Sequence, residues 1–306
     1  MTAKGATVPR RRPTLLERQR RRLVVPFLLP ALLLYGLFML YPAFTTFYVA
    51  LTEWDGVNAP EWVGGGNFGR LLDDPLFTST ITNTIVFTVL GALVLFPGAM
   101  FFGYVTQRLR FGRFYRFLIL APVALSVTTA ALLWKFLVDP NFGALQSILH
   151  AIGLDSLASI ELLGRPSTAM LMVVLATVWH GIGLWMTFFA AAVERVPAEL
   201  KESATLDGAT SFQVFRFVVW PLMWEVTRTL LVLWMIQGLQ TFAFIIAMTN
   251  GGPLRATEVI GTYLYKVAFA SSEFGYGAAI AVVLFAAILV LTLLSQRLTR
   301  RESEQY

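Results

Sequence analysis

Six long stretches of this chain contain no charged residue, and they constrain its fold more than any other feature. They cover residues 23–52, 75–107, 117–134, 166–193, 229–254 and 274–296. An α-helix rises about 1.5 Å per residue, so about 20 apolar residues cross a hydrocarbon core of roughly 30 Å. The chain is also 57% hydrophobic and only 14% charged, unlike an ordinary soluble domain. The sequence therefore predicts an all-α polytopic membrane protein with six transmembrane helices.

The basic residues are distributed unevenly between the connections. If the N-terminus lies in the cytoplasm, 19 of the 24 lysines and arginines fall inside and 5 outside, while the 18 acids divide 8 inside and 10 outside. The positive-inside rule then predicts that both termini are cytoplasmic. Because topology accounts for the net charge of +6, we expect no nucleic-acid partner. A chain with no cysteine and two histidines also gives no reason to expect a metal site.

These patterns divide the chain into three parts. We predict a cytoplasmic basic tail at 1–22, a transmembrane domain at 23–297 and a cytoplasmic tail at 298–306. Within the domain, the predicted spans are about 23–50, 78–106, 115–137, 167–191, 222–248 and 275–297. An outer segment, 142–152, shows apolar residues at helical spacing but is too short to span, so we predict a short surface helix there.

The connection between the fourth and fifth spans, residues 194–220, does not have the composition of a linker. Pro197 suits a first helical turn, Gly208 can end that helix, and Thr210 or Ser211 can cap a second one. The pattern predicts a helix–turn–helix with carboxylates on one side. The apolar anchors would be Leu206, Phe212, Phe215 and Phe217. Such an element would serve as a docking surface or would lie on the membrane surface.

The same connection resembles the coupling loop of binding-protein-dependent ABC importer permeases. That family shows Glu-Ala-Ala, three residues, Gly and, about a dozen residues later, two hydrophobic residues and Pro. Here Glu202-Ser203-Ala204, Asp207-Gly208 and Trp220-Pro221 follow the pattern, with Ser203 in place of the first alanine and Trp220 in place of the more usual leucine. Four other segments of the chain resemble the carbohydrate-type permeases of this family. They are Thr249-Asn250-Gly251-Gly252-Pro253, Trp134, residues 139–143 and Tyr41-Pro42.

The resemblance, which covers most of residues 25–297, implies a set of partners. They are a second homologous permease, a dimer of ATP-binding subunits and an extracytoplasmic solute-binding protein, assembled in the lipid bilayer of a bacterial cytoplasmic membrane. The chain has no phosphate-binding Gly-x-x-x-x-Gly-Lys-[Ser/Thr] loop, so we expect a non-catalytic subunit without its own cofactor. ATP and Mg would be bound by the partners. The residues implied in ATPase coupling are Glu202, Ser203, Ala204, Asp207, Gly208 and Pro221, with Glu202 as an ion-pair partner.

Polar and aromatic residues within the fourth and fifth spans are candidates for a substrate pathway. Sugars are bound by aromatic faces together with amide and hydroxyl groups, and the carbohydrate permeases form their cavity from these two helices. The candidates are Trp179, His180, Gly181, Trp185, Gln237, Gly238, Gln240 and Thr241. The alternative is that these residues only join helices.

The substrate class and the protein class each leave alternatives. The alternative substrates within the importer class are glycerophosphodiesters or polyols. Because the spans carry no lysine or arginine away from their ends, the sequence favours a neutral sugar over an anionic solute, a preference that the partner permease could reverse. A secondary transporter would usually need carboxylates within the membrane. A membrane enzyme acting on lipids would need clustered carboxylates or histidines. The sequence supplies neither arrangement, so both classes are disfavoured.

Overall fold

The structure is a computed structural model that describes residues 26–300, without the side chains at 157 and 298–300. The predicted basic tail at 1–22 and residues 301–306 of the predicted C-terminal tail lie outside the described residues. Four helices are long and apolar enough to cross a membrane: α1 (Pro26–Val49), α3 (Pro75–Val105), α8 (Pro166–Glu194) and the Phe274–Arg297 part of α14 (Phe274–Arg300). Their apolar length identifies a multi-pass membrane protein.

The other two predicted spans are each broken. The first comprises α4 (Gly112–Leu120), which continues as a 3₁₀ turn (Ala121–Ala124), and α5 (Val127–Leu137); the two parts meet at 99°. The second, predicted at 222–248, forms α11 (Trp224–Leu239), breaks after Leu239 and resumes as α12 (Ala243–Met248). α11 also forms a bent pair with α10 (Ser211–Leu222), which belongs to the connection predicted at 194–220, and these two helices meet at 69°. The structure thus contains up to six spans if each bent pair counts as one, and neither 115–137 nor 222–248 is the continuous helix that the sequence predicted.

Short elements connect the spans. β1 (Thr52–Glu53) pairs antiparallel with β2 (Glu61–Trp62), and α2 (Gly66–Asp73) follows. The predicted surface helix at 142–152 is present as α6 (Ala144–Ala151), followed by α7 (Asp155–Ala158). The connection after α8 forms α9 (Ala198–Leu206) and α10, as the helix–turn–helix pattern predicts. α13 (Ile260–Tyr265) continues as a π-helical turn, Lys266–Ala270, before α14.

The core lies between α3 and α8, the most extensive helix pair of the described residues. Close approach there depends on small residues, since a Cβ at Gly103 would lie 3.1 Å from the carbonyl oxygen of Met186. α11 and α12 pack onto this pair and complete the main apolar cluster. α1 lies at the edge of the bundle, where most of its surface is exposed and Phe47 meets Phe285 of α14. The main cluster therefore holds α8 and α11, which carry the candidate pathway residues, in a defined relative position.

Candidate functional site

The turn between α9 and α10 is fixed by backbone hydrogen bonds. Gly208 N–H donates to the Thr205 carbonyl at 3.1 Å, and Ala209 N–H donates to the Ala204 carbonyl at 3.0 Å. This pair of bonds is the Schellman arrangement, which needs a residue with positive φ just after the helix. Gly208 supplies it with a φ of +85°. The stop predicted at Gly208 is therefore confirmed, and its cause is backbone conformation, because a Cβ there would meet nothing within 4 Å.

The start of α10 is fixed by a reciprocal capping box. The Thr210 hydroxyl accepts from Gln213 N–H at 3.3 Å, and the Gln213 side chain accepts from Thr210 N–H at 2.7 Å. Two backbone donors at the helix start are thus satisfied. Of the two predicted caps, the structure selects Thr210. With the turn closed on one side and the cap on the other, the angle between α9 and α10 is well defined.

The helix–turn–helix contacts the bundle through only part of its surface. Ala204 and Ala209 pack against the core cluster, and Val214 and Val219 are buried in it. The Phe215 ring lies 4.9 Å from the ring of Tyr104, whose hydroxyl donates to the Ser211 carbonyl at 3.3 Å. These contacts tie α10 to the end of α3, so a force on the turn would be transmitted to the long helices.

The remaining surface of the helix–turn–helix is exposed and includes large apolar residues. Leu206 is 89% exposed and Phe212 is 73% exposed. Glu202, Ser203, Asp207 and Gly208 are exposed as well, and Glu202 forms no ion pair with any described residue. Exposed apolar residues beside charged ones fit both alternatives predicted from the sequence, a protein docking surface and a surface that lies on the membrane.

Pro221 lies at the end of α10, directly before the 69° bend. The bend falls at Met223, which is buried. Across it, the ring of Trp220 lies 5.8 Å from the ring of Trp224. Trp220, the departure from the family pattern, therefore has a structural role, because its ring bridges the two arms of the bend.

A cavity of about 350 Å³ lies between α8, α11, α12 and the start of α5. Six of the eight candidate pathway residues line it: His180, Gly181, Trp185, Gln237, Gln240 and Thr241. Gln237 and Gln240 are exposed, and Thr241 is half-buried. No aspartate, glutamate, lysine or arginine occurs among the described residues that line the cavity. The arrangement offers amide and hydroxyl groups beside aromatic rings, which suits a polar, uncharged molecule.

Two of the three helix breaks lie at this cavity, whereas the 69° bend at Met223 does not. His180 of α8 lies with its Nε2 3.1 Å from the carbonyl oxygen of Leu125, between the 3₁₀ turn and α5. In the tautomer that carries its proton on Nε2, His180 donates this bond. The break between α11 and α12 lines the cavity directly through Thr241 and Phe242. The edge of the Phe244 ring faces His180 at 5.6 Å.

Trp179 and Gly238 do not line the cavity. The Trp179 ring packs edge-on against Trp134 at 6.0 Å, and a Cβ at Gly238 would lie 2.3 Å from the Thr88 hydroxyl oxygen. Both residues join helices, the alternative that the sequence left open. Trp185 combines the two roles, because it is almost completely buried and yet reaches the cavity.

The sequence analysis missed Trp234, which forms the aromatic floor of the cavity together with Trp185 and Phe87. Trp234 lies 5.8 Å from Trp185, edge to face, and 6.3 Å from Phe87, stacked. Its Nε1 donates to the Thr88 carbonyl at 2.8 Å. Residue 234 precedes Gln237 by three positions, so helical spacing alone would have placed it on the same face. Thr177 and Phe244 also line the cavity, and no pattern in the sequence singled them out.

The segment that begins at Thr249, which resembles the carbohydrate-type permeases, forms a compact loop. Thr249 and Thr257 share a 2.7 Å hydroxyl contact, and Lys266 Nζ lies 2.7 Å from a carboxylate oxygen of Glu258. Glu258 is only 1% exposed. Asn83 of α3 donates to the Glu258 carbonyl at 2.9 Å. The loop is therefore anchored to α3, and the sequence had not singled out Glu258.

Asp74 joins the ends of three helices, α3, α13 and α14. It caps α3 by accepting from Leu76 N–H at 2.8 Å, and it accepts from the hydroxyls of Tyr263 at 2.5 Å and Tyr276 at 2.6 Å. Burial raises the pKa of Asp74, but these hydrogen bonds outweigh burial, so the pKa lies below its ordinary value.

Comparison with known proteins agrees with this arrangement. Residues 96–304 match the family model described as binding-protein-dependent transport system inner membrane component. The diacetylchitobiose uptake system permease protein NgcF of Streptomyces coelicolor is 31% identical, with 95% of this chain and 86% of the relative covered. The sn-glycerol-3-phosphate transport system permease protein UgpA of Agrobacterium fabrum is 32% identical, with 88% of this chain and 92% of the relative covered.

Among solved structures, a bacterial alginate ABC transporter in complex with an alginate pentasaccharide-bound periplasmic protein contains a similar chain. The TM-score is 0.82 at 22% identity, with 95% of this chain and 98% of that chain covered. This likeness supports the fold. The family match and the relatives above 30% identity confirm the resemblance found in the sequence. The chain therefore belongs to the family of binding-protein-dependent transport system inner membrane components, the permease subunits of ABC transporters.

Proposed function

We propose that this chain is a non-catalytic permease subunit of an ATP-driven importer that carries a neutral sugar or a related polar solute. With a second permease it would form the pathway through a bacterial cytoplasmic membrane, both termini being cytoplasmic. Two ATP-binding subunits, holding ATP and Mg, would dock on the helix–turn–helix, and an extracytoplasmic solute-binding protein would deliver the solute. The observation that carries the proposal is the cavity lined by aromatic rings, amides and a hydroxyl group, with no aspartate, glutamate, lysine or arginine among its described lining residues.

The chemistry of the cavity separates the substrate classes. Arginine and lysine are the side chains that most commonly bind a phosphate, and neither occurs among the described lining residues, whose one titratable side chain is that of His180. A neutral sugar needs only aromatic faces and hydrogen-bonding groups, which Trp185, Trp234 and Gln240 provide. The name of the UgpA relative keeps sn-glycerol 3-phosphate as the second candidate, and a cationic residue from the second permease would then have to complete the site.

The substrate assignment is tested with Thr241→Ala and Gln240→Ala in the assembled transporter. ATP hydrolysis stimulated by the solute-binding protein is measured against neutral mono- and disaccharides, polyols and sn-glycerol 3-phosphate. We expect both variants to lose stimulation by the solute that stimulates wild type. Thr292→Ala is the matched control, because Thr292 is a threonine of α14 that does not line the cavity. Wild-type stimulation in both cavity variants would refute the assignment.

The coupling assignment is tested with Glu202→Arg. If Glu202 pairs with a basic side chain of the ATPase, the reversed charge should abolish uptake while the chain still enters the membrane. Glu199→Arg, the same change one turn earlier on α9, should retain most uptake. Co-purification of the ATP-binding subunit reports docking independently of transport. Normal docking and uptake by Glu202→Arg would contradict this role.

A further inference from the structure

The turn between α3 and α4 concentrates positive charge. Arg108, Arg110, Arg113 and Arg116 fall within nine consecutive residues. No aspartate or glutamate occurs anywhere from residue 75 to residue 138. We refer to residues 108–117 as the arginine turn. Its charge can be neutralised only by groups from elsewhere.

The backbone of the arginine turn is held tightly against the bundle. A Cβ at Gly112 would lie 1.8 Å from the Thr106 carbonyl oxygen, so only glycine permits this approach. Gln107 donates to the Ala190 carbonyl of α8 at 2.7 Å. Arg116 Nε donates to the Thr106 hydroxyl at 3.2 Å. Because both ends are anchored, the remaining arginines project from a defined surface.

Only one of the four arginines is used inside the described structure as an ion-pair partner. Arg116 lies 3.6 Å from Glu194 at the end of α8. Arg108, Arg110 and Arg113 are exposed, and among the described residues none of them has an acidic partner. Arg108 lies 4.2 Å over the ring of Tyr104, and Arg110 lies 5.6 Å from the ring of Phe111. Three guanidinium groups are therefore available to an anion.

Aromatic rings alternate with these arginines. Phe111, Phe114 and Phe117 are each about 60% exposed or more, and a spacing of three places them on one broad side of the turn and α4. Aromatic rings collect at the boundary between acyl chains and headgroups, and basic residues beside them attract anionic lipids. Topology alone requires positive charge at this end of the bundle, but it does not require exposed rings between the charges.

We propose that the arginine turn binds the phosphodiester headgroups of anionic phospholipids. A guanidinium can donate two parallel hydrogen bonds to a phosphate, and the phenylalanine rings would enter the acyl region beside it. Tyr104, which stacks under Arg108, also donates to the Ser211 carbonyl. The bound lipid would therefore lie next to the helix–turn–helix, on the same end of the bundle.

The test asks which of two lipids the purified full-length transporter retains. The transporter is placed in nanodiscs of equimolar phosphatidylcholine and phosphatidylglycerol and is then extracted with detergent. The lipids that remain bound to it are measured by mass spectrometry. Wild type should retain phosphatidylglycerol preferentially. The triple change Arg108→Gln, Arg110→Gln and Arg113→Gln should lower this preference at least tenfold, because each basic residue near an anionic surface contributes roughly fivefold.

Two controls separate this site from general electrostatics and from misfolding. Lys135→Gln with Arg165→Gln removes charge at the other end of α8 and should leave the preference unchanged. Replacing the three arginines by lysine keeps the charge and the fold but loses the bidentate geometry, so it should retain only part of the preference. Unchanged phosphatidylglycerol retention in the glutamine variant would overturn the proposal. So would an equal loss in the control at the other end, or displacement of the lipid by excess inorganic phosphate, which would indicate a site for a free anion.

Discussion

Gly91 offers the most direct test of how the cavity floor is packed. A Cβ at residue 91 would lie 2.3 Å from Cζ2 of Trp234. The indole has little freedom to move, because its Nε1 is bonded to the Thr88 carbonyl and its ring is enclosed by Phe87 and Trp185. Adding a methyl group to a well-packed site costs about 1–3 kcal/mol. Gly91→Ala should therefore destabilise the protein and push the indole toward the cavity.

Gly98→Ala is the matched control for this experiment. It makes the same change in the same helix, so the gain in helix propensity cancels in the comparison. A Cβ at Gly98 would have one close neighbour, Cδ1 of Ile182 at 3.0 Å. This atom is the flexible end of a side chain and can move away. We expect the two variants to differ by about 1–3 kcal/mol, measured as a lower thermal midpoint of Gly91→Ala in detergent. Solute-stimulated ATP hydrolysis should fall in Gly91→Ala and remain near wild type in Gly98→Ala.

A double variant identifies the cause of the effect. Trp234→Phe removes the ring atoms nearest residue 91, so it should cost less in the Gly91→Ala background than in wild type. Residues in contact commonly show such non-additivity, of about 0.5–3 kcal/mol. Equal thermal midpoints for Gly91→Ala and Gly98→Ala, or strictly additive effects in the double variant, would refute the packing described for Trp234.

Three further changes test other parts of the structure. Gly208→Ala and Gly153→Ala both place alanine at positive φ with no steric neighbour and should each cost about 1–2 kcal/mol, but only Gly208→Ala should weaken co-purification of the ATP-binding subunit. The pKa of Asp74 is lower in the folded state than its ordinary value of 3.8. The Asp74 carboxylate therefore contributes fully to the free energy of unfolding above pH 3.8, and this contribution is lost as the pH falls through the pKa of the folded state. Asp74→Asn should therefore lower the thermal midpoint at pH 7 and flatten its decline below about pH 4. Glu258→Gln should destabilise the loop at residues 249–258 by about 1–3 kcal/mol, because the ion pair with Lys266 is lost. Faster proteolysis of this loop would be the measured effect.

The helix–turn–helix was predictable because its determinants are local. Pro197 lies at the N-cap of α9, Gly208 supplies positive φ, and Thr210 caps α10 within three residues of its partner. Each signal acts over less than one turn of chain, so neither long-range packing nor the membrane can override it easily. The roles of Glu202 and its neighbours in coupling remain a prediction, since they depend on another protein.

The cavity was predictable only in part, because residue type does not distinguish a lining residue from a packing one. Gln237, Gln240 and Thr241 were candidates as polar residues of the fifth predicted span, and the structure brings them together at the cavity, the last two just beyond the end of α11. Trp179 and Gly238 satisfied the same criteria, yet each faces a neighbouring helix. Which face of a helix meets a cavity is decided by contacts between distant segments, and those contacts leave little trace in the spacing of one helix.

The broken spans show why hydropathy alone did not predict their shape. An apolar stretch predicts that a segment enters the membrane. Its mean hydropathy is the same whether the helix is straight or bent, so hydropathy does not predict a bend. Backbone groups released by a break must bond to the protein or face a water-filled cavity, since lipid cannot satisfy them. At the break before α5, the Leu125 carbonyl has His180 as its polar neighbour, and the break between α11 and α12, at Thr241 and Phe242, lines the cavity itself. The breaks and the cavity therefore depend on each other: the breaks open a polar space within apolar helices, and that space makes broken helices tolerable.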